Sequence, residues 1–332
     1  MSDGYGGAMR AVQVIDTTGP EHLQVNDVAE PSPGPEDVLV EVHAVGTSFP
    51  DLLLSRGEYQ LRPEPPFTLG VDFAGVVVRG PEGRGDLAPG TRVAGVAPYG
   101  GAAELVANPA VSTFALPDSM SLEEGAALPM NYLTAQFALA ERGDLREGET
   151  VLVHGAAGGV GTATIQVAKG YGARTIAVCS TEAKCQVARD AGADEAVLLD
   201  GFKDAVKELT GGAGVDIVMD VVGGDVFTDS LRSLAPQGRL LVVGFAAGQG
   251  IPEVKVNRLL LNNIDVRGVG WGAYAMVRPG FMEAQWAELV PMMEAGTIRP
   301  PVGATYGIED FGRALLDLDE RRTLGKGVVR IR

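Results

Sequence analysis

An apolar strand that leads directly into a glycine-rich turn and a helix is the feature that most constrains this chain. The segment runs VLVHGAAGGVG over residues 151–161. Gly158 has no side chain to hold the backbone away from a pyrophosphate, and Gly161 lets the helix pack closely on the strand. Ala156 stands where such a turn usually has its first glycine. The segment therefore predicts a dinucleotide-binding turn, in which the first amides of the helix face phosphate oxygens.

The residues after this turn alternate between helical and strand-like patterns. Apolar residues first follow at helical spacing, at Val160, Ala163, Ala168 and Tyr171. Strand-like runs then cover 151–154, 175–179, 196–199, 216–222, 239–245 and 264–269. Six such strands separated by helices predict a doubly wound parallel sheet of the Rossmann type.

The end of the second of these strands indicates which dinucleotide is bound. A bare ribose is usually held by an acidic side chain about 20 residues past the glycines. Cys179 stands there instead, and Ser180 and Lys184 follow it. These two residues offer a hydroxyl and a cation to a 2′-phosphate, which favours NADPH over NADH. In the alternative interpretation, Lys184 is only a solvated side chain of the next helix.

The sequence before residue 120 has the pattern of a compact β domain. Strand-like runs separated by proline and glycine cover 9–15, 37–45, 73–78, 91–97 and 102–107. Ser121 and Glu124 then have the spacing of a capping box, which predicts the start of a helix. Further helices are expected from about Met130 to Glu141 and from Gly280 to Ala295. The last apolar run, 328–331, predicts a strand that returns to the β domain.

Composition argues against several classes of partner. The formal net charge of −16 repels nucleic acids and anionic membranes, and no cluster of Lys and Arg offsets it. No apolar run approaches the roughly 18 residues of a membrane span, and the N-terminal MSDGYGGA lacks the regions of a signal peptide. The cytoplasm is therefore the expected location. Cys179 and Cys185 have no spacing typical of a disulfide framework or a zinc site, which predicts reduced, structural thiols.

Several motifs together resemble the medium-chain dehydrogenase/reductase superfamily, and within it the zinc-independent NADPH:quinone oxidoreductases related to zeta-crystallin. Besides the HGAAGGVG turn, the resemblance depends on GTSFPD at 46–51, GEY at 57–59, GVDFAG at 70–75 and GK at 325–326. It implies a discontinuous GroES-like β-barrel substrate domain, residues 1–130 and 275–332, and a Rossmann dinucleotide-binding domain, residues 131–274. It also implies a homodimer.

The resemblance further implies a reaction without zinc. Zinc-dependent relatives bind the metal with a cysteine near residues 46–51 and a Gly-His-Glu motif where this chain has GVD at 70–72. The histidines are far apart in sequence and have no cysteine at ligand spacing: His22, His43 and His154. No metal site is therefore predicted. Without a Lewis acid to stabilise an alkoxide, an activated acceptor is the expected substrate.

Two polar residues are the candidate catalytic groups. Quinones and enones accept hydride readily, because the charge is delocalised onto an oxygen that needs one or two hydrogen-bond donors. The resemblance places Tyr59 in the substrate cleft, together with Ser48, where relatives usually have an asparagine. Leu53 replaces a second tyrosine, which predicts a more apolar pocket. Packing of Tyr59 on the barrel is the alternative interpretation.

The remaining residues implied by the resemblance are contacts to NADPH. Those at the pyrophosphate are Gly158, Gly159 and Val160, and those at the 2′-phosphate are Ser180 and Lys184. Those around the nicotinamide are Phe49, Thr134, Phe245, Ala246 and Trp271, and those approaching from the substrate domain are Arg321 and Lys326. Core packing is the alternative for Phe245 and Trp271. Asp200, near the place of a tyrosine that relatives use, would oppose the 2′-phosphate.

Three functions are consistent with these residues. The leading hypothesis is hydride transfer from NADPH to a quinone or an α,β-unsaturated carbonyl. An enoyl-thioester reductase, acting on a CoA or carrier-bound ester, is the first alternative, because such enzymes share this scaffold and work without metal. A non-catalytic NADPH-binding scaffold or sensor is the second. The sequence identifies neither the physiological acceptor nor a proton donor.

Overall fold

The computed structural model describes residues 7–332, which form two compact units. The first unit contains the described residues up to Met130 with Met282–Trp286 and Val302–Arg332, and the second contains Asn131–Phe281 and Ala287–Pro301. The sequence prediction assigned all of residues 275–332 to the substrate domain, whereas 275–281 and 287–301 pack with the second unit. Residues 1–6, part of the segment considered for a signal peptide, lie outside the described residues.

Residues 7–332 contain sixteen strands. They are β1 (Ala8–Val14), β2 (Gln24–Ala29), β3 (Asp37–Gly46), β4 (Phe67–Thr68), β5 (Asp72–Arg79), β6 (Arg92–Val96), β7 (Leu105–Pro109), β8 (Thr113–Ala115), β9 (Thr150–His154), β10 (Arg174–Cys179), β11 (Glu195–Leu198), β12 (Val215–Asp220), β13 (Leu234–Val242), β14 (Asp265–Gly268), β15 (Val302–Gly307) and β16 (Lys326–Arg330).

The same residues contain eleven α-helices. They are α1 (Phe49–Ser55), α2 (Leu122–Ala126), α3 (Thr134–Gln136), α4 (Gly159–Gly170), α5 (Glu182–Asp190), α6 (Phe202–Leu209), α7 (Val226–Ser233), α8 (Asn257–Asn262), α9 (Trp271–Ala275), α10 (Phe281–Glu294) and α11 (Phe311–Asp319). None of the helices formed by the described residues is long and apolar enough to cross a membrane.

The first unit is built on two sheets whose strands are mostly antiparallel. The smaller sheet has the order β2-β1-β4, and the larger has the order β15-β16-β3-β5-β6-β8, with β7 also paired to β3. Strand β16 pairs antiparallel with β3, so that Val328 lies opposite Gly46. The predicted return of the C-terminal tail to the β domain is therefore confirmed. This pairing brings residues near position 326 beside the start of α1.

The second unit contains a six-stranded parallel sheet of order β11-β10-β9-β12-β13-β14. Its central strands are buried on both faces, as the complete burial of three consecutive residues in β9 (151–153) and in β12 (217–219) shows. The predicted doubly wound sheet is confirmed. The strand order reverses between β9 and β12, and in such sheets ligands bind at the carboxyl ends of the strands beside that reversal.

Two predicted elements differ from those observed. The helix expected over Met130–Glu141 contains only the short α3, flanked by wide π-type turns at Pro129–Leu133 and Phe137–Arg142. Residues 131–139 are all buried, so the segment lacks the amphipathic pattern that identifies a regular helix. The strand expected at 102–107 begins only at Leu105, because Ala102 and Glu104 form their backbone hydrogen bonds with β1.

Candidate active site

The glycine-rich turn joins β9 to α4 in the second unit. Gly155 has a φ of 61°, in the left-handed region that favours glycine, and the Gly158 amide donates to the Gly155 carbonyl over 2.9 Å. A Cβ atom on Gly161 would lie 2.2 Å from the Gly155 oxygen and 2.7 Å from the Ala156 Cα. The predicted close packing of this helix on its strand is thus confirmed. The turn leaves the first amides of a twelve-residue helix facing outward from the strand end, which suits a pyrophosphate.

Gly158, the residue at the N-cap of α4, is less confined than Gly161. The nearest atom to a Cβ on Gly158 would be the Gly155 oxygen, at 3.3 Å. A methyl group there needs only a small adjustment of its neighbour. The two positions therefore differ in why a side chain is unfavourable. At Gly161 a side chain would disrupt the packing of the protein, and at Gly158 it would obstruct the approach of a ligand to the helix amides.

His154 ends β9 directly beneath the turn. It is buried, its Nε2 lies 2.8 Å from the Ser230 Oγ, and its ring packs edge-on against Phe202. Burial lowers the pKa of His154 from 6.5 to about 4, so the imidazole is neutral at physiological pH. His154 is therefore a packing residue of the strand end.

Asn131 is a residue of this site that the sequence reasoning missed. A Cβ on Gly159 would lie 2.6 Å from the Asn131 Nδ2, so the amide of Asn131 packs directly against the turn. Thr134, which the resemblance placed at the nicotinamide, is buried three residues later at the start of α3. In the sequence, only its position three residues before Thr134 could have indicated that Asn131 belongs to the site. The buried segment at 131–134 thus lies beside the phosphate-binding turn.

The end of β10 presents the residues expected at a 2′-phosphate. Ser180 is exposed and Lys184 is half-buried in the first turn of α5, where its amide donates to the Thr181 hydroxyl over 3.3 Å. The only carboxylate in that turn, Glu182, forms an ion pair with Arg189 at 2.6 Å. Burial and the neighbouring Cys185 raise the pKa of the Cys179 thiol to about 12, which keeps it uncharged. This strand end therefore offers a hydroxyl and a cation without an uncompensated carboxylate.

Loops after β12 and β13 complete the carboxyl edge of the sheet. Ala246 donates its amide to the Val221 carbonyl over 3.1 Å, which holds the two loops together. Phe245 is 42% exposed beside it, whereas Trp271 is buried at the start of α9. The alternative interpretation of core packing therefore fits Trp271 better than Phe245.

Asp220, at the end of β12, is a second residue that the sequence reasoning missed. Its Oδ1 accepts the amides of Val222 and Gly223, each over 2.8 Å. Its Oδ2 is buried and has no hydrogen-bond partner among the described residues. Burial raises the pKa of this carboxyl above its usual value, although the two amides oppose that effect. The bonded oxygen fixes the turn that follows β12.

Ser48, in the first unit, lies in a buried cluster of charged and polar groups. Its hydroxyl lies 2.9 Å from the Asp72 Oδ2, and the Lys326 ammonium lies 2.8 Å from both of these oxygens. The other Asp72 oxygen accepts the Met130 amide over 2.8 Å. All three side chains are buried. We call Ser48, Asp72 and Lys326 the Lys–Ser–Asp cluster.

This arrangement differs from the cofactor contact that the resemblance implied for Lys326. Its ammonium is buried in an ion pair with Asp72 inside the first unit, and freeing it would leave a buried carboxylate without a cation. Arg321, the other implied contact in this unit, is exposed in the turn after α11 with a φ of 58°. The pairing of Lys326 with Asp72 spans 254 positions, and no local pattern in the sequence indicates it.

Asp51 and Tyr59 lie next to this cluster. The carboxylate of Asp51 accepts the amides of Ser48 and Gly70 over 3.1 and 3.0 Å, and burial raises its pKa to about 7. Tyr59 is half-buried, and burial together with the charge of Asp51 raises the pKa of its phenol. The Tyr59 hydroxyl therefore stays protonated at neutral pH and can donate a hydrogen bond. Phe49, the first residue of α1, is 43% exposed nearby in sequence.

The described residues contain no group of three or more His, Cys, Asp and Glu side chains that is arranged to hold a metal ion. Within residues 70–72, the zinc-binding segment of metal-dependent relatives, Asp72 is instead paired with Lys326. His43 lies 3.2 Å from the Glu41 carboxylate.

Two protein-family models match the chain. The GroES-like domain of alcohol dehydrogenases matches residues 34–118, and the zinc-binding dehydrogenase model matches residues 159–294. Together with the two observed units, these matches confirm the predicted combination of a GroES-like domain and a Rossmann domain.

Individual proteins match over nearly the whole chain. Quinone oxidoreductase-like protein 2 of Rattus norvegicus is 37% identical over 332 residues, covering 99% of this chain and 95% of the relative. A probable oxidoreductase from Mycobacterium abscessus has a crystal structure that matches with a TM-score of 0.89 and 44% identity, covering 99% of this chain and 100% of that chain. The quinone oxidoreductase of Thermus thermophilus, whose structures include a complex with NADPH, matches with a TM-score of 0.83 and 35% identity, covering 97% and 100%.

Proposed function

The chain belongs to the quinone oxidoreductase family of medium-chain dehydrogenases/reductases, and on that premise we propose that it transfers a hydride from NADPH to a quinone or an α,β-unsaturated carbonyl. The observation that carries this proposal is the turn at 155–161. Its packing requires glycine at position 161, whereas the nearest atom to a Cβ on Gly158 would be 3.3 Å away, so glycine at 158 suits the close approach of a phosphate rather than the packing of the protein. A relative with 35% identity has a structure with NADPH, which supports the same cofactor here.

The residues of the second unit fit this cofactor. We assign the pyrophosphate to Gly158, Gly159 and Val160 at the start of α4, where the helix dipole favours negative charge. The amides of Gly159 and Val160 would donate to it, whereas Gly158, whose own amide donates to the Gly155 carbonyl, lets the phosphate approach the backbone. The 2′-phosphate is assigned to Ser180 and Lys184. Contacts around the nicotinamide ring are assigned to Thr134, Phe245 and Ala246 of this unit. When bound, the cofactor supplies a hydride from its nicotinamide ring.

Ser180 and Lys184 decide between the two nicotinamide cofactors. A charge-assisted hydrogen bond from Lys184 to a phosphate is roughly twice as strong as a neutral one. The neutral thiol of Cys179 does not repel that phosphate. Asp200 is exposed at the end of β11 and opposes it weakly, because solvent screens a surface charge. These groups support NADPH as the preferred cofactor.

We further propose that the reaction needs no zinc, although one matching family model is named for zinc binding. Its support is the ion pair between Asp72 and Lys326, which occupies the segment that carries zinc ligands in metal-dependent relatives. A lysine ammonium there would repel a divalent cation. Electron-poor acceptors suit such a site, because their developing charge is spread over several atoms and needs only hydrogen-bond donors. We assign Tyr59 as one donor, since its phenol stays protonated.

We also propose that the protein forms a homodimer through the second unit. Strand β14 pairs only with β13 among the described residues, so its other edge is unpaired. Apolar side chains at least 70% exposed occur in the segments on either side of it: Ile251, Val256, Leu260, Leu261 and Val277. An unpaired edge beside exposed apolar residues favours association with an identical edge, because a two-fold axis brings the same surface of both copies together.

Steady-state oxidation of NADPH by a panel of acceptors tests the function. Protein treated with a chelator should oxidise NADPH in the presence of quinones or free enones, and should use NADH less well. A CoA or carrier-bound ester that exceeds every free enone would favour the enoyl-thioester reductase. NADPH binding without turnover of any acceptor would favour a scaffold, and activity that requires added zinc would overturn the metal-free mechanism.

A further inference from the structure

The Lys–Ser–Asp cluster contains a hydroxyl between a proton donor and a carboxylate. Lys326 Nζ donates to the Ser48 Oγ and to the Asp72 Oδ2, each over 2.8 Å, and the Ser48 hydroxyl lies 2.9 Å from the same Asp72 oxygen. A hydroxyl has one hydrogen and two lone pairs. Ser48 therefore accepts from Lys326 and donates to Asp72 at the same time.

The bond from Ser48 to Asp72 is not needed to satisfy the carboxylate. One Asp72 oxygen also accepts the Met130 amide, and the other also accepts the Lys326 ammonium. If the Ser48 hydrogen turns towards another acceptor, each carboxylate oxygen still has a donor. Ser48 can thus donate to a ligand while it continues to accept from Lys326. This redundancy distinguishes the hydroxyl from a purely structural one.

Ser48 is itself buried but is adjacent in sequence to an exposed residue. It directly precedes Phe49, which is 43% exposed at the start of α1. Asp51, whose carboxylate accepts the Ser48 amide, influences the half-buried Tyr59 through its charge. The hydroxyl of Ser48 and the phenol of Tyr59 therefore belong to one neighbourhood of the first unit.

We propose that Lys326 supplies the proton that completes the reduction and that Ser48 passes it to the acceptor. This inference rests on the proposed function. When the acceptor carbon gains a hydride from NADPH, a π-electron pair moves onto the acceptor oxygen. That oxygen forms a bond to the Ser48 hydrogen, while the Ser48 Oγ takes a proton from the Lys326 Nζ. The products are the reduced acceptor with a new O–H bond, NADP⁺ and a neutral Lys326, which regains its proton from water.

Asp72 favours the return of the proton to Lys326, whereas the negative charge that develops on the acceptor oxygen drives the donation. Before the step, its charge is balanced by Lys326 inside the protein. After the step, a buried carboxylate faces a neutral amine, and an uncompensated buried charge is costly. Reprotonation of Lys326 is therefore favoured once the product has left. In this mechanism Tyr59 orients the acceptor oxygen by a hydrogen bond and keeps its own proton.

Substitution of Ser48 tests the relay without breaking the ion pair. Ser48→Ala leaves Lys326 and Asp72 in contact, so the fold is retained, and kcat should fall about 100-fold, the lower end of the effect of general acid catalysis. The affinity for NADPH should change less than about 3-fold, which is under 1 kcal/mol. Ser48→Thr keeps the hydroxyl and should restore most of the activity. Ser55→Ala is the matched control, because its hydroxyl bonds only to the Leu52 carbonyl in the same helix.

A charge-balanced double variant tests Lys326 as the proton source. The groups that face Lys326 are Ser48, Asp72 on β5 and, through its charge, Asp51 on α1. The double variant Lys326→Gln with Asp72→Asn keeps the charge balance but removes the proton source, so its kcat should fall about 100-fold, as in Ser48→Ala. Thermal unfolding monitors whether it folds. If it does not, the Ser48 series alone decides.

The outcomes separate the two proposals. Wild-type protein without acceptor turnover would overturn the proposed function. Wild-type protein with turnover, combined with full activity in Ser48→Ala or in the folded double variant, would overturn the relay alone. Equal losses in Ser48→Ala and Ser48→Thr would also overturn it, because the hydroxyl would then be irrelevant.

Discussion

Alanine at Gly161 should lower the stability of the protein, whereas alanine at Gly158 should weaken the binding of NADPH. At Gly161 the new Cβ would lie 2.2 Å from the Gly155 oxygen and 2.7 Å from the Ala156 Cα, both backbone atoms that cannot rotate away. At Gly158 the nearest atom would be 3.3 Å away, which a small shift relieves. The first substitution therefore strains the folded protein, and the second places a methyl group in the path of a phosphate.

These distances set the expected changes in melting temperature and in NADPH affinity. Overpacking of a well-packed site costs about 1–3 kcal/mol. For a domain of roughly 150–250 residues that corresponds to a fall of about 2–12 °C in the melting midpoint. Gly161→Ala should show this fall, whereas Gly158→Ala should melt within about 2 °C of the wild type. NADPH affinity should fall about tenfold or more in Gly158→Ala, which is 1.4 kcal/mol or more.

Differential scanning calorimetry and NADPH titration of both variants measure the two effects. Gly170→Ala is a useful control, because there the added Cβ meets only the Met292 side chain, which can move. Unchanged melting of Gly161→Ala would refute the packing argument. Wild-type NADPH affinity in Gly158→Ala would refute the assignment of this turn to the pyrophosphate.

Four further predictions address the other assigned residues. Lys184→Ala should weaken NADPH binding at least about tenfold and leave NADH binding nearly unchanged, because only the 2′-phosphate loses a partner; equal losses measured by fluorescence titration would contradict this. Tyr59→Phe should lower kcat about tenfold to 100-fold through loss of one hydrogen bond in the transition state, and steady-state kinetics without any change would exclude that role. Burial lowers the pKa of His154 from 6.5 to about 4, so the free energy of unfolding is highest above pH 6.5 and falls by about 3 kcal/mol as the pH drops towards 4. His154→Gln should remove this loss in urea titrations between pH 6.5 and 4. The same dependence of the unfolding free energy on pH in wild type and variant would refute the prediction. Leu260→Asp with Leu261→Asp should convert a dimer to a monomer in light scattering, and a wild-type protein that is already monomeric would disprove the interface.

The parallel sheet could be predicted from the sequence because its signals are local. Buried strands such as β9 and β12 are short apolar runs, and the turn at 155–161 has its glycines at fixed spacing. The capping box at Ser121 is likewise local, and its hydroxyl accepts the Glu124 amide over 3.1 Å as predicted. The apolar run at 328–331 likewise predicted a strand that returns to the β domain, and the family resemblance supplied the bounds of that discontinuous domain.

The charged cluster of the first unit could not be predicted, because its members are far apart in sequence. Lys326 and Asp72 meet only after β16 pairs with β3 and β3 pairs with β5. From the sequence, Lys326 was therefore interpreted as a ligand contact. Asp220 and Asn131 were missed for a related reason: a single polar residue after a strand or before a helix has many ordinary uses, and only packing shows what it touches.

A single-turnover measurement on chelator-treated protein tests whether NADPH bound to this protein reduces an acceptor without metal. NADPH bound in stoichiometric amount is mixed with an electron-poor quinone or enone, and its absorbance is followed in a stopped-flow instrument. The bound NADPH should be oxidised in one phase whose rate depends on the acceptor, without added metal. Bound NADPH that stays reduced with every acceptor, or that is oxidised only after zinc is restored, would contradict it.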